Sequence, residues 1–172
     1  MLYELTAVQF SKMLKNLQVV LDKGAKQADH KKFDMLVLLN SRLAPDQFPL
    51  IRQIQIACDS AKLCVSRLTD KEPPAHDDKE TTYAELKTRI DQVVSYLNSV
   101  SASDFSKSAE KRISQPRWEG KSLSGTEFVI QHATPNVYFH ITTAYAILRH
   151  NGVDVGKKDY LGEMPYRPAS SN

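Results

Sequence analysis

His140 is the residue whose type and position best suit chemistry. It recurs at helical spacing with Val137, Ala144 and Ile147, so its imidazole is expected to point into a helical domain. A buried imidazole needs hydrogen-bond partners, and its pKa lies close enough to neutrality for burial to tune it for acid–base work. Two roles stay open from the spacing alone: a core histidine bonded to a carbonyl or carboxylate, or an acid–base or ligand group in a pocket.

The other four histidines form no metal-binding pattern. His30 and His76 fall in polar segments, His150 lies where a helix is expected to end, and His132 precedes Pro135. A catalytic zinc usually takes three protein ligands, but the sequence contains no H-E-x-x-H, no C-x-x-C and no pair of histidines four residues apart. The residue pattern by itself therefore predicts no zinc centre.

Asp59 is the carboxylate of most interest, because it flanks the apolar stripe of a predicted helix. It either faces an interior site or borders the stripe at the surface. Cys58 and Cys64 occupy the same helix among Ile, Ala and Val, which favours packing over a reactive thiolate. Their separation of six residues puts them on different faces, so a disulfide between them is not expected.

Composition is typical of one soluble domain spanning residues 1–172. The chain has 23 basic and 20 acidic residues, a formal charge of +3 and 41% hydrophobic residues. The basic residues near Trp118 are mixed with acids, which favours a solvated surface over a nucleic-acid patch. No apolar run approaches the ~20 residues that span a bilayer, and the first residues lack a signal-peptide pattern. We expect a cytoplasmic protein with neither nucleic-acid nor membrane partners.

Four amphipathic helices are predicted to position these residues. They cover residues 5–23, 47–68, 82–100 and 135–151. Gly24 suits the end of the first helix, and Thr82 with Glu85 forms a capping box at the start of the third. Thr134 followed by Pro135 is typical of the start of the fourth.

The connections are predicted from turn residues and polarity. Residues 33–39 indicate a buried extended link, residues 69–81 a mobile surface loop, and residues 112–117 with 123–130 a short hairpin. Residues 153–172 form a tail. The predicted fold class is all-α, a four-helix bundle with a small irregular or hairpin insertion between helices three and four.

Three stretches of the sequence resemble a domain-of-unknown-function branch of the DinB-like superfamily, found in fungi and bacteria. They are APDQFPL at residues 44–50, QIACDSAK at residues 55–62 and NVYFHITTAYAILRHNGVDVGKKDYL at residues 136–161. The resemblance implies a DinB-like four-helix bundle, often dimeric, with a pocket at one end. A homodimer is therefore expected.

The resemblance also implies where a metal would lie. Better-known members of the superfamily hold nickel or zinc with three histidines, one from the second helix and an H-x-x-x-H pair from the last long helix. His140 matches the second histidine of that pair, but Asn136 stands in the first position. The second helix offers Gln53, Gln55 or Asp59 instead of histidine. Amide oxygens bind zinc and nickel poorly, so the metal site is predicted to be degraded, with a divalent metal kept as an alternative cofactor.

The functional hypothesis is small-molecule binding in a pocket among the helices, centred on His140. His140 is the candidate acid–base residue and Asp59 a second catalytic candidate, if the protein is an enzyme at all. The candidate ligand-binding residues are Gln55, Asn136, Tyr138 and Tyr145. We expect His140 to bond Gln55 or Asp59, with its pKa raised beside the carboxylate and lowered among amides. The alternatives are a metal-dependent hydrolase or thiol transferase, and a non-catalytic structural dimer.

Overall fold

The computed structural model describes residues 1–168, and it confirms the predicted all-α architecture. The long helices are α1 (Gln9–Lys31), α3 (Leu50–Thr69), α4 (Tyr83–Ser99) and α6 (Thr134–His150). The short helices are α2 (Met35–Leu39), α5 (Gly125–Phe128) and α7 (Lys157–Leu161). Strands β1 (Arg112–Ile113) and β2 (Leu123–Ser124) pair antiparallel. Within residues 1–168, no helix is both long and apolar enough to cross a bilayer.

The apolar stripes of the four long helices meet in one core. α3 packs against α6 and α4, and α1 packs against the same two helices. Fully buried side chains such as Leu17, Ile54, Ile90 and Ile147 come from all four of them. The α3–α6 pair is the most extensive of these contacts, and it carries the polar residues that the sequence singles out.

The predicted end of the first helix at Gly24 is wrong, because α1 continues to Lys31. Gly24 is buried where α1 and α6 approach each other, and a Cβ at this position would lie 3.1 Å from Cδ2 of Leu148. The glycine therefore serves close helix packing and not helix termination. At the other end, a π-helical turn at Glu4–Val8 leads into α1.

Two further boundaries differ from the sequence pattern. The predicted extended link at residues 33–39 contains α2, because the Asp34 side chain accepts a hydrogen bond from the Leu36 amide and caps a new helix. The second long helix begins at Leu50, since Pro49 is extended with a ψ of 168°. By contrast, the predicted capping box of the third helix is confirmed: the Glu85 carboxylate accepts from the Thr82 amide at 2.9 Å.

The predicted hairpin is confined to β1 and β2, and the segment after it is helical. Ser124 caps α5 together with Glu127, and a π-helical turn at Val129–Ala133 joins α5 directly to α6. The N-cap of this continuous helical segment is therefore Ser124, ten residues before the predicted cap Thr134. A wider turn accommodates the missing amide hydrogen of Pro135 without ending the helix.

The C-terminal segment lies over the bundle. Val153 and Val155 are buried, and α7 packs against α1, where the Asn16 side chain donates to the Tyr160 carbonyl at 2.9 Å. Of the predicted tail at residues 153–172, residues 169–172 lie outside the part that the structure describes.

Candidate functional site

The α3–α6 contact brings His140 against Gln53. The imidazole is only 8% exposed, and its Nδ1 lies 2.7 Å from the Gln53 side-chain oxygen. Gln53 uses its amide nitrogen to donate to the Phe48 carbonyl at 2.9 Å, so its oxygen must accept. Nδ1 of His140 therefore carries the hydrogen, and Nε2 keeps a lone pair. Nε2 has no protein partner within residues 1–168.

This geometry confirms that His140 is buried and faces the second long helix. Its partner is Gln53, one of the three positions matched to the superfamily ligand, and not the predicted Gln55 or Asp59. Burial lowers the pKa of His140, and the nearby charge of Arg52 lowers it further. The imidazole is therefore neutral at pH 7, as expected for an amide partner.

A second polar pair lies one helical turn away on α6. The Asn136 side-chain amide donates to the Ser60 hydroxyl at 2.7 Å. The Ser60 oxygen accepts in this bond, and its own O–H has no acceptor among the described residues. The contact between α3 and α6 thus contains two hydrogen-bonded pairs, Gln53–His140 and Ser60–Asn136.

A cavity of 170 Å³ opens beside the Ser60–Asn136 pair, between α3, the start of the α5–α6 helical path and the hairpin insertion. Its polar lining residues are Asp59, Ser60, Arg67, Gln115, Arg117, His132 and Asn136. Two of the predicted site residues, Asp59 and Asn136, therefore share one cavity. His140 is not part of its lining.

Charged and polar atoms of this cavity are incompletely paired. Arg117 donates to Nε2 of His132 at 2.6 Å, while Nδ1 of His132 and Nε2 of Gln115 are buried and have no hydrogen-bond partner within residues 1–168. Burial lowers the pKa of His132, and the charges of Arg117 and Arg67 lower it further. Sequence reasoning missed this group, since its members come from α3, the insertion and the turn before α6.

Asp59 also belongs to an ion cluster on the far side of α3. Arg89 of α4 is 1% exposed and contacts Asp59 at 2.7 Å, Asp78 at 2.8 Å and Glu80 at 2.8 Å. Lys62 reaches the same Asp59 oxygen at 2.9 Å. The carboxylate of Asp59 is therefore held by two cations, Arg89 and Lys62.

Gln55 is part of this cluster and not of the cavity. It donates to Glu80 at 2.9 Å and accepts from Arg52 at 3.0 Å. The predicted surface loop at residues 69–81 is thereby tied to α3 and α4. His76 of that loop, which the sequence places in a polar segment, contacts Lys62 with its Nδ1 at 2.7 Å. A signal for the buried Arg89 exists in the sequence, since it shares the helical spacing of the apolar residues of α4.

The two predicted tyrosines do not meet His140. The Tyr138 hydroxyl accepts from Gln9 of α1 at 2.9 Å, and the Tyr145 hydroxyl donates to the Val155 carbonyl at 3.4 Å. Their helical phase turns both toward α1 and the C-terminal segment.

Both cysteines are free and fully buried, as the sequence pattern predicts. Burial raises the pKa of the Cys58 thiol to about 12, and it raises that of Cys64 as well. Neither side chain is therefore a thiolate at pH 7, which argues against nucleophilic chemistry at these positions.

The residues at the superfamily's metal positions do not fit a zinc or nickel site. Gln53 is bonded to Nδ1 of His140 and to the Phe48 carbonyl, and Asn136 is bonded to Ser60. Within residues 1–168, no group of three or more His, Cys, Asp or Glu side chains is arranged to hold a metal ion. One imidazole and two neutral amides are a weak donor set for either metal.

Comparisons with known proteins agree with this fold. Residues 2–161 match the model of a family described as "Domain of unknown function (DUF1993)". The chain is also similar to a crystal structure of a DinB family member protein from Shewanella denitrificans. The two sequences are 64% identical, and the two structures superpose with a TM-score of 0.95 over 98% of this chain and 96% of the Shewanella chain. No curated protein matches the chain.

Proposed function

Because the chain belongs to the DUF1993 family of the DinB-like superfamily, we propose that it binds a small molecule between α3 and α6. The site includes Asn136 and the cavity beside it, with His140 one turn further along α6. The cavity is the observation that carries the proposal, since it adjoins the helix pair that holds all three superfamily positions.

Two features of the cavity favour a ligand over simple packing. Its volume of 170 Å³ equals that of about six water molecules, so the bundle leaves real space here. Buried polar atoms in native proteins normally have partners, yet two of its lining side chains carry buried polar atoms that have none. The protein therefore does not by itself satisfy all polar atoms around the cavity, among the residues that the structure describes.

His140 has a separate role in the proposal. Its Nδ1 is fixed by Gln53, and its neutral Nε2 can accept a proton or a hydrogen bond. If the site is catalytic, His140 is the general base, because a neutral imidazole with an available lone pair is the form that removes protons.

The test is a thermal-shift screen of organic acids, amines, sugars and nucleosides against the wild type, Asn136→Leu, His140→Ala and His30→Ala. We expect at least one compound to raise the melting temperature of the wild type and of His30→Ala. Asn136→Leu should abolish that rise, because the leucine projects beside the cavity. His30 is exposed near the end of α1 and provides the matched histidine control.

His140→Ala separates a functional from a structural histidine. The proposal predicts that it reduces the ligand-induced shift or turnover by a larger factor than it lowers the melting temperature of the free protein. If no compound stabilises the wild type, or if Asn136→Leu responds to every compound as the wild type does, the α3–α6 site is not a binding site.

A further inference from the structure

We infer that the α3–α6 cavity is an oxyanion site that takes a phosphate or carboxylate group, with Arg67 and Arg117 as the binding residues and His132 positioning Arg117. This inference rests on the proposed function and names the chemical class of its ligand. None of these three residues was a candidate from the sequence.

Two arginines at the cavity lack the partners that arginines usually have. Among residues 1–168, neither Arg67 nor Arg117 forms an ion pair, although both line the same cavity. Arg67 lies over the Phe128 ring at 6.0 Å, and Arg117 donates to the neutral His132. Two guanidinium groups that form no ion pair create a local positive potential that an anion relieves.

The hydrogen-bonding groups of the cavity point to the same conclusion. Arginine can only donate, so Nε2 of His132 must accept from Arg117, and Nδ1 of His132 carries the hydrogen. Among the described residues, that Nδ1–H and the Gln115 amide nitrogen have no acceptor; both atoms are fully buried, so they add to the positive potential around the cavity without contacting a ligand in it. The Ser60 hydroxyl is an unused donor of a lining residue. A set of donors without acceptors selects a ligand that only accepts hydrogen bonds, which is the property of an oxyanion.

The one carboxylate in the lining does not oppose this assignment. Asp59 shares its Oδ1 with Arg89 and Lys62, at 2.7 and 2.9 Å, so its charge is compensated from the other side of α3. The volume of 170 Å³ suits an oxyanion group with its first few atoms, and the rest of a larger ligand would lie outside.

The electrostatics of His132 support the geometry. Burial and the two arginine charges all hold its pKa below the ordinary value. An anion in the cavity cancels part of the arginine potential and therefore raises that pKa. Binding should tighten as the pH falls toward the pKa of His132.

The experiment is calorimetric titration of the protein with inorganic phosphate and with acetate, at constant ionic strength, using the wild type, Arg67→Met, Arg117→Met and Arg112→Met. The inference predicts binding of at least one of the two anions. Each cavity arginine supplies a charge-assisted hydrogen bond, so its removal should weaken binding by about tenfold or more. Arg112 lies in β1 outside the cavity lining and should leave the affinity unchanged.

The outcomes separate this inference from the proposed function. Arg117 is exposed, so Arg117→Met keeps the inference testable even if Arg67→Met fails to fold. Anion binding that both cavity variants leave unchanged, or no anion binding at all, overturns the inference. If the thermal-shift screen then finds a neutral or cationic compound that depends on Asn136, the binding site stands and only its ligand class is wrong. If Asn136→Leu changes nothing either, both proposals fail.

Discussion

Replacement of Arg89 by methionine is the sharpest test of the ion cluster between α3, α4 and the loop at residues 69–81. Methionine keeps most of the apolar stem and removes the guanidinium. Three carboxylates, those of Asp59, Asp78 and Glu80, then lose their shared partner. We expect the variant to fold and to lose stability.

The size of the loss follows from burial. Arg89 is 1% exposed, and removing one partner of a buried ion pair costs about 3–5 kcal/mol. The three carboxylates are 13–33% exposed, so water offsets part of that cost. Lys62 and Arg52 also remain close to two of them. We therefore expect the free energy of unfolding to fall by about 3 kcal/mol at pH 7, which lowers the melting temperature by about 6–12 °C.

The pH dependence identifies the cause of the loss. Burial raises the pKa of Asp78 and Glu80, but hydrogen bonds from arginine outweigh it and hold both values below the ordinary 3.8 and 4.5. Carboxyl groups with a depressed pKa in the folded state stabilise it fully above the unfolded-state pKa, and this stabilisation is lost as the pH falls through the folded-state pKa. The difference between the wild type and Arg89→Met should therefore shrink as the pH drops below about 4.

The assay is urea unfolding at pH 7 and at about pH 3, with Arg149→Met as the control. Arg149 is 58% exposed and its nearest carboxylate oxygen lies 3.9 Å away, so its loss should cost less than about 0.5 kcal/mol. An equal loss for Arg89→Met at both pH values would refute the electrostatic reasoning. A loss below about 1 kcal/mol at pH 7 would show that the cluster stabilises no more than a surface pair does.

Three further predictions follow from packing and from the superfamily. Gly125→Ala should prevent the insertion from docking, because its Cβ would lie 1.8 Å from the Ser108 carbonyl oxygen. A Cβ at Gly156 would meet no atom of the described residues within 4 Å, so Gly156→Ala should melt like the wild type, and equal melting of the two variants would contradict this prediction. Cys58 and Cys64 should react with a thiol reagent only after urea unfolding, since both are buried with raised pKa values, and rapid labelling of the native protein would contradict their burial. The homodimer stays a prediction, and light scattering that returns the monomer mass of 19.4 kDa would count against it.

Local signals predicted the fold well where local contacts decide the structure. The Thr82–Glu85 capping box involves residues three positions apart, so the start of α4 could be predicted from the sequence. The burial of His140 followed from helical phase, which depends only on spacing within α6. The hydrogen-bond partner of His140 could not be predicted in this way. Gln53 and Gln55 lie within one turn of α3, and only the relative position of α3 and α6 decides which of them His140 contacts.

The errors arise where tertiary contacts override local preference. Gly24 suggested the end of the first helix, but its absence of a side chain instead allows Leu148 of α6 to pack closely against α1. Pro135 suggested the start of the fourth helix, but a π-helical turn precedes it and continues the helix from α5. The ion cluster of Arg89 needs partners 30 and 9 residues away, in α3 and in a loop without regular structure. Arg117 was grouped with the surface residues near Trp118 and Arg67 was not singled out, since their shared location depends on how the insertion folds back on α3.

The burial of Val153 and Val155 has a consequence for where the domain can be cut or joined to another protein. These valines are 0% and 1% exposed, and burying a valine contributes about 1.5 kcal/mol or more, so a chain shortened at Gly152 loses roughly 3 kcal/mol of apolar burial. Such a chain would also lose α7, whose Asp159 contacts Lys23 of α1 at 2.8 Å. Limited proteolysis should accordingly spare residues 153–161. A fusion partner or affinity tag is better attached after this segment than in place of it.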